Sequence, residues 1–306
     1  MAGIAIIFSG QGAQHVGMGR DLYENSPAAR AVFDCAEKIR PGTIAQCFEG
    51  DEETLKQTVN TQPCLYCVDL AAAAAVKEAG IFADMLAGFS IGELAALAFS
   101  GAVSYEDGFR LVCKRAEFMQ NASEKVDTGM VAVIKLSDSD VEKLCREFKD
   151  IYPVNYNCPG QVVVAGARDM LEPFNLRVKE AGGRAMPLKV GGGFHSPFMA
   201  PAAQAFGEAL DSFDIREPGI PLYSNLTAKP YNGSYKELLQ NQICNPVLWH
   251  KTVEGMIAGG VDAFIEAGPG KTLCGLVSRI SDKVQVYNVE DTESLQKTLQ
   301  GVKAGA

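Results

Sequence analysis

Short apolar runs bounded by glycine alternate along the chain with longer stretches in which apolar residues return every three or four positions. Residues 4–8, 85–89 and 263–267 are runs of strand length, each opening into a glycine turn, and they predict buried strands. Helical spacing covers residues 28–38 and then 62–77, through an alanine run that Gly80 stops. It resumes in the alanine–leucine stretch that begins at Gly92 and that Gly101 closes. Residues 105–121 form a further predicted helix, whose apolar stripe is Phe109, Val112, Ala116 and Met119. Arg115 falls on the flank of that stripe, where a guanidinium needs an anion beside it or a salt bridge to a helix neighbour.

Between 129 and 190 the texture changes. Strands are predicted at 130–136, 154–157, 161–166 and 184–190, with helices at 137–149 and 169–181. That βαββαβ order is the split ferredoxin-like arrangement. The fold class read from the sequence is therefore α/β: a large α/β-hydrolase-like catalytic subdomain (1–128 and 191–306) with a small inserted ferredoxin-like subdomain (129–190). The chain returns through three glycines, a flexible connector at 191–193, and lands on His195. A helix over 201–213 and a short strand over 222–225 follow. Asn245-Pro246-Val247-Leu248-Trp249 begins another helix, with proline near its first turn.

Composition narrows the function classes. The 306 residues are 47% hydrophobic and 21% charged, enough apolar material for a large soluble domain. A net charge of -9 speaks against nucleic acid as a partner. No apolar run reaches membrane-span length, and residues 1–4 lead into a strand instead of a signal peptide. Nine cysteines scattered singly suit a reducing, cytoplasmic setting. Cys64-Leu65-Tyr66-Cys67 has no second pair or nearby histidine, and is read as core packing. Asn225-Leu226-Thr227 has the glycosylation pattern by coincidence. No metal site and no cofactor are expected.

The chemistry centres on Gly88-Phe89-Ser90-Ile91-Gly92, a G-x-S-x-G match between a predicted strand and a predicted helix. Glycines there permit a sharp strand-to-helix turn that exposes the serine hydroxyl over the helix N-terminus. The competing reading is structural, because Ser90 and Glu93 also make a capping box. The glycine-rich turn at 9–19 and the later Gly268-Pro269-Gly270-Lys271-Thr272 both lack nucleotide-loop spacing. The first is read as aiming backbone N–H groups into a site. A serine needs a base to take its proton, and only three histidines are available. His250 falls within a predicted helix, and His15 precedes the serine in the chain. His195 follows it on a glycine-preceded loop and is preferred. No acidic residue between Ser90 and His195 offers an obvious orienting group, so a Ser–His dyad is expected.

Together these residues resemble the malonyl-CoA:acyl carrier protein transacylases. The matching stretches are Phe8 to Gln14, Thr61-Gln62-Pro63, Gly88 to Glu93, Arg115, Asn157 to Gln161, Gly193 to Ser196, Asn245 to Trp249 and Gly268 to Gly270. The resemblance implies that Ser90 carries the malonyl group as an ester while His195 shuttles the proton. It implies an oxyanion hole from the backbone N–H groups of Gln11 and Ile91, and an Arg115 that pairs with the free malonyl carboxylate. Gln161, Phe194 and Met119 are implied to line the substrate pocket, and the backbone carbonyl of Leu248 to orient the histidine. Phe194 is similar to the bulky residue that crowds a 2-methyl substituent, a partial preference since one methyl is worth ~1–3 kcal/mol.

Two departures from the family stand out. Phe89 replaces the usual histidine before the serine, and Leu248 replaces a usual polar residue. The implied substrates are malonyl-CoA and the phosphopantetheine thiol of acyl carrier protein, with the CoA thioester a substrate and not a cofactor. A monomer is expected. The implied role is to supply extender units for fatty acid synthesis, with a polyketide line as the alternative. An acidic carrier protein meeting an acidic chain needs a local basic patch, for which Lys189, Arg184 and Lys271 are the candidates. A serine acyl-hydrolase is the rival enzyme. An inactive carrier-binding module would need a broken dyad.

Overall fold

The computed structural model describes residues 3–305. Met1 and Ala2, part of the stretch read as leading into the first strand, lie outside the described residues. Among those described, nine strands are β1 (Gly3–Phe8), β2 (Met85–Gly88), β3 (Thr128–Ile134), β4 (Ile151–Cys158), β5 (Gln161–Ala167), β6 (Arg184–Pro187), β7 (Leu222–Tyr223), β8 (Val261–Ala267) and β9 (Gln285–Val289). They form two sheets.

The larger sheet is parallel throughout, in the order β7-β2-β1-β8-β9. Its centre, β1, is an unbroken apolar run because both faces are covered. Ile6 and Phe8 face the core under helices Thr58–Glu78 and Gly92–Phe99, while Ala5 and Ile7 face a second core with Trp249, Val253 and Val277. Helix Thr58–Glu78 is buried nearly all round, and Cys64 and Cys67 are free thiols packed within it.

The smaller sheet is antiparallel, in the order β4-β5-β3-β6. Alternate residues of its strands serve two cores. Val131, Val133, Val162 and Val164 pack under helices Asp138–Arg146 and Arg168–Glu180, whereas Met130, Ala132, Val163 and Ala165 join the main core. The β6 strand ends at Pro187 and not at 190, and the chain then crosses toward the glycine connector. That connector is packed and not merely flexible. A Cβ on Gly192 would lie 2.6 Å from the Cβ of Ser123, and Gly193 N–H donates to Thr128 Oγ1 at 2.8 Å.

The two sheets meet at Val247, whose N–H donates to Val154 O and whose carbonyl accepts from Tyr156 N–H, each at 2.9 Å. This pairing changes one expectation. Pro246 is not in the first turn of a helix, because Val247 pairs with β4 and the helix starts only at Trp249. The edge strand β9 and helices Arg20–Asn25, Tyr235–Gln242 and Thr292–Gly305 escaped the sequence reading. They are short or half exposed, so their apolar signal is thin.

Candidate active site

Ser90 sits at φ +54° between β2 and helix Gly92–Phe99. Both flanking glycines are required by close approach. A Cβ on Gly88 would collide with the backbone of Gly92, and one on Gly92 with the carbonyls of Phe8 and Ser9. The left-handed turn lifts the hydroxyl off the helix, and the capping box does not form. Ile91 is the N-cap and has no side-chain cap bond. The Glu93 carboxylate instead accepts from Asn225 N–H at 3.0 Å, from Gln242 Nε2 at 2.9 Å and from the Tyr231 hydroxyl. Burial raises the Glu93 carboxyl to about 6 against the pull of those donors.

The Ser90 hydroxyl meets two groups that the sequence singled out. Its Oγ lies 2.7 Å from His195 Nε2 and 3.2 Å from Arg115 Nη2. His195 Nδ1 is 2.9 Å from the carbonyl of Gln242. A carbonyl can only accept, so Nδ1 carries the proton and Nε2 offers its lone pair to the serine. Burial, then the charge of Arg115, pushes the imidazole pKa down to about 4, opposed by the backbone of Gln242 and Asn245. The imidazole is neutral at pH 7. His15 is exposed beside Glu290, and His250 pairs with Glu254 one helical turn on, so neither approaches Ser90.

The orienting carbonyl belongs to Gln242, which corrects the expectation for Leu248. Leu248 is the N-cap of helix Trp249–Ala258, and its carbonyl accepts from Thr252 N–H at 2.9 Å and Thr252 Oγ1 at 3.0 Å. Sequence inspection carried no sign of Gln242, a polar residue at the end of a polar helix. It performs two tasks at once. Its main chain holds the His195 ring, while its side chain accepts from Arg115 Nη2 at 2.8 Å and donates to Ser90 O at 2.8 Å.

Arg115 is wholly buried. Its hydrogen bonds go to neutral oxygens: Gln62 Oε1 and Gln242 Oε1 at 2.8 Å each, and Ser90 Oγ. Its Nε has no partner among the described residues. Burial lowers the guanidinium to about 10, with the Glu93 charge opposing, so it remains a cation at pH 7. A salt bridge to a helix neighbour is not what occupies it. Met119, one turn along, accepts a hydrogen bond from Gln62 Nε2 at 3.3 Å and so fixes the amide whose oxygen faces Arg115.

Phe194 is buried next to His195 in the chain, and Phe89 packs against Trp249 with ring centroids 5.6 Å apart. Among the described residues, neither the Gln11 N–H nor the Ile91 N–H donates to a protein acceptor. A cavity of about 440 Å³ opens beside Gln11, with Lys56 and Lys189 in its wall.

Gln161 departs from expectation. Its Oε1 accepts from Arg279 Nη1 at 2.6 Å at the junction of the two sheets, and it bonds to none of Ser90, His195 or Arg115. The proposed basic patch is also dispersed. Lys189 lines the cavity near Gln11, Lys271 lines a separate groove with Glu290, and Arg184 pairs with Ile134 at the far end of β6. No group of three or more His, Cys, Asp or Glu is arranged to hold a metal among the described residues.

Known proteins share this architecture. An acyl transferase domain model matches residues 5–301. The malonyl CoA-acyl carrier protein transacylase of Bacillus subtilis is 38% identical, covering 99% of this chain and 98% of its own, and that of a Staphylococcus aureus strain is 35% identical over 97% and 98%. The crystal structure of the Clostridium perfringens transacylase superposes with a TM-score of 0.96 at 37% identity, covering 99% of this chain and 98% of its own. A malonyl-transacylase in complex with its type II PKS acyl-carrier protein gives 0.94 at 33% identity, over 98% of this chain and 100% of that one. A buried serine, histidine and arginine on a parallel sheet, with an antiparallel sheet beside it, thus sit in a chain that belongs to the malonyl CoA-acyl carrier protein transacylase family of acyl transferases.

Proposed function

We propose that this protein transfers a malonyl group from malonyl-CoA to the phosphopantetheine thiol of acyl carrier protein, through a malonyl ester on Ser90. One observation carries the reading: a fully buried guanidinium, its Nε unpartnered among the described residues, lies within hydrogen-bond reach of the same hydroxyl that meets a neutral histidine. The relatives' names supply the malonyl donor, and the neighbour solved with its acyl-carrier protein supplies the acceptor class.

In the first half-reaction Ser90 Oγ attacks the thioester carbon as His195 Nε2 takes the hydroxyl proton. The carbonyl oxygen becomes an oxyanion facing the free N–H groups of Gln11 and Ile91, each such donor worth ~3 kcal/mol. Collapse breaks the C–S bond, and the imidazolium returns the proton to the CoA sulfur. The second half repeats these steps with the carrier thiol as nucleophile, breaking the ester C–O bond and returning the proton to Ser90. The CoA thioester is a substrate, and no step calls for a cofactor.

The malonyl carboxylate has two effects at Arg115. It satisfies the guanidinium, and by offsetting that positive charge it lets the His195 pKa rise and strengthens the base. A neutral acyl group does neither, which favours a malonyl transferase over an ester hydrolase. Phe194 beside His195 disfavours a 2-methyl branch. Gln161, bonded to Arg279, is left out of the substrate contacts.

In this reading residues 1–128 and 191–306 form a hydrolase-like catalytic subdomain, and 129–190 an inserted subdomain whose strand order is that of ferredoxin-like folds. The protein serves fatty acid synthesis as a cytoplasmic monomer. Its free cysteines fit a reducing compartment, and none of its described helices is long and apolar enough to cross a membrane. Intact-protein mass after mixing with malonyl-CoA tests the chemistry: wild type gains one malonyl group, and Ser90→Ala gains none. Arg115→Ala loses at least ~10-fold in malonyl over acetyl preference, given ~1.5–3 kcal/mol for a charge-assisted hydrogen bond. An unchanged preference rejects the assignment.

A further inference from the structure

Asn225-Leu226-Thr227 has the pattern of a glycosylation acceptor, yet the Asn225 side chain is completely buried, and every polar group of the residue is engaged. Its Oδ1 accepts from Ser90 N–H at 2.7 Å, and its Nδ2 donates to Gly88 O at 2.6 Å. Its own N–H donates to Glu93 Oε2 at 3.0 Å, and its carbonyl accepts from Leu248 N–H at 2.9 Å. A single carboxamide therefore spans the elbow from the residue two before the nucleophile to the nucleophile itself.

Only a side chain with a donor and an acceptor side by side satisfies both ends of that span. The span coincides with the strained position. Ser90 adopts φ +54°, a left-handed backbone that non-glycine residues avoid unless the surroundings hold them there. From it the Oγ reaches His195 Nε2 and Arg115 Nη2 together.

We propose that Asn225 is a positioning residue for acyl transfer: its carboxamide locks the backbone of Ser90 in the attacking conformation and occupies the Ser90 N–H. The oxyanion is then left to the N–H groups of Gln11 and Ile91, since the nucleophile's own amide is taken. This inference rests on the reading of Ser90 as the nucleophile, and the test separates the two.

The experiment is rapid-quench intact mass of the malonyl–enzyme adduct at a series of malonyl-CoA concentrations, with folding checked by circular dichroism and thermal melting. Asn225→Ala is expected to acylate about 10²-fold more slowly at saturation, the scale for a misplaced reacting group, with the half-saturating concentration within about threefold of wild type. Asn225→Asp keeps an acceptor for the Ser90 N–H but loses the donor to Gly88 O, so its rate falls between the two. A folded variant that acylates within about threefold of wild type overturns the proposal, as does a weakening of malonyl-CoA binding that matches the loss of rate. Should the alanine variant fail to fold, the near-isosteric Asn225→Asp decides by the same criteria. Absence of any adduct in wild type, or an adduct in Ser90→Ala, defeats the nucleophile assignment and not the clamp alone.

Discussion

His195 carries a burden that ordinary histidines do not. It is buried, a guanidinium shares its serine partner, and the two effects together push its pKa down to about 4. The depressed value favours the neutral form, so the base is available above about 4 and is lost only as pH falls through that value. At subsaturating malonyl-CoA, where the rate reports the free enzyme, acylation of Ser90 is therefore expected to stay level from pH 8 to below 6.5, where an unperturbed histidine would already be half protonated. A pH profile of the first half-reaction checks this, and a midpoint at 6.5 contradicts it. At the residue scale, elimination also led to the histidine that meets Ser90 Oγ. Three histidines left one sensible base, and chain order picked His195. The same reasoning missed Gln242, because what matters there is a backbone carbonyl that every residue type possesses. Leu248 was expected in its place by resemblance, but the carbonyl of an N-cap is committed to its helix.

At the scale of elements, the turn from β2 into helix Gly92–Phe99 works because two glycine backbones nearly touch and the second also abuts the end of β1. Gly88→Ala forces a Cβ into Gly92. We expect a loss of about 1–3 kcal/mol in stability from overpacking, with the malonyl–Ser90 adduct disappearing under conditions where the protein remains folded. Thermal unfolding together with intact mass measures both, and a variant with wild-type melting and labelling refutes the contact. This turn was legible from five residues, since its glycine spacing is a local requirement. The capping box competed on equal local terms, and what excluded it was distant: Asn225 and Gln242 draw Glu93 away from the helix N-terminus. Gln161 shows the reverse case, a residue whose strand was located correctly but whose side chain turns to Arg279 on another element.

Across the whole molecule, the two sheets join through the extended segment at Val247, a few residues after the carbonyl that holds the base. Val247→Pro deletes the N–H bonded to Val154 O and leaves that carbonyl unpaired, a cost of about 1–3 kcal/mol. Because the loosened segment also carries the His195 contacts, the acylation rate is expected to drop along with the melting temperature. A lower melting temperature with an unchanged rate would show that the junction does not position the site.

The sequence by itself determined the α/β alternation, the change of texture at 129–190, the elbow, the candidate base and the flanking arginine. Each is written in spacing, periodicity or residue type within a short window. Tertiary structure alone decided which carbonyl orients His195, what satisfies Arg115, where Gln161 points and what holds Ser90 in its turn. Those contacts join residues 25 to 152 positions apart. Local periodicity records which face of an element is buried, but not which distant polar group it meets there.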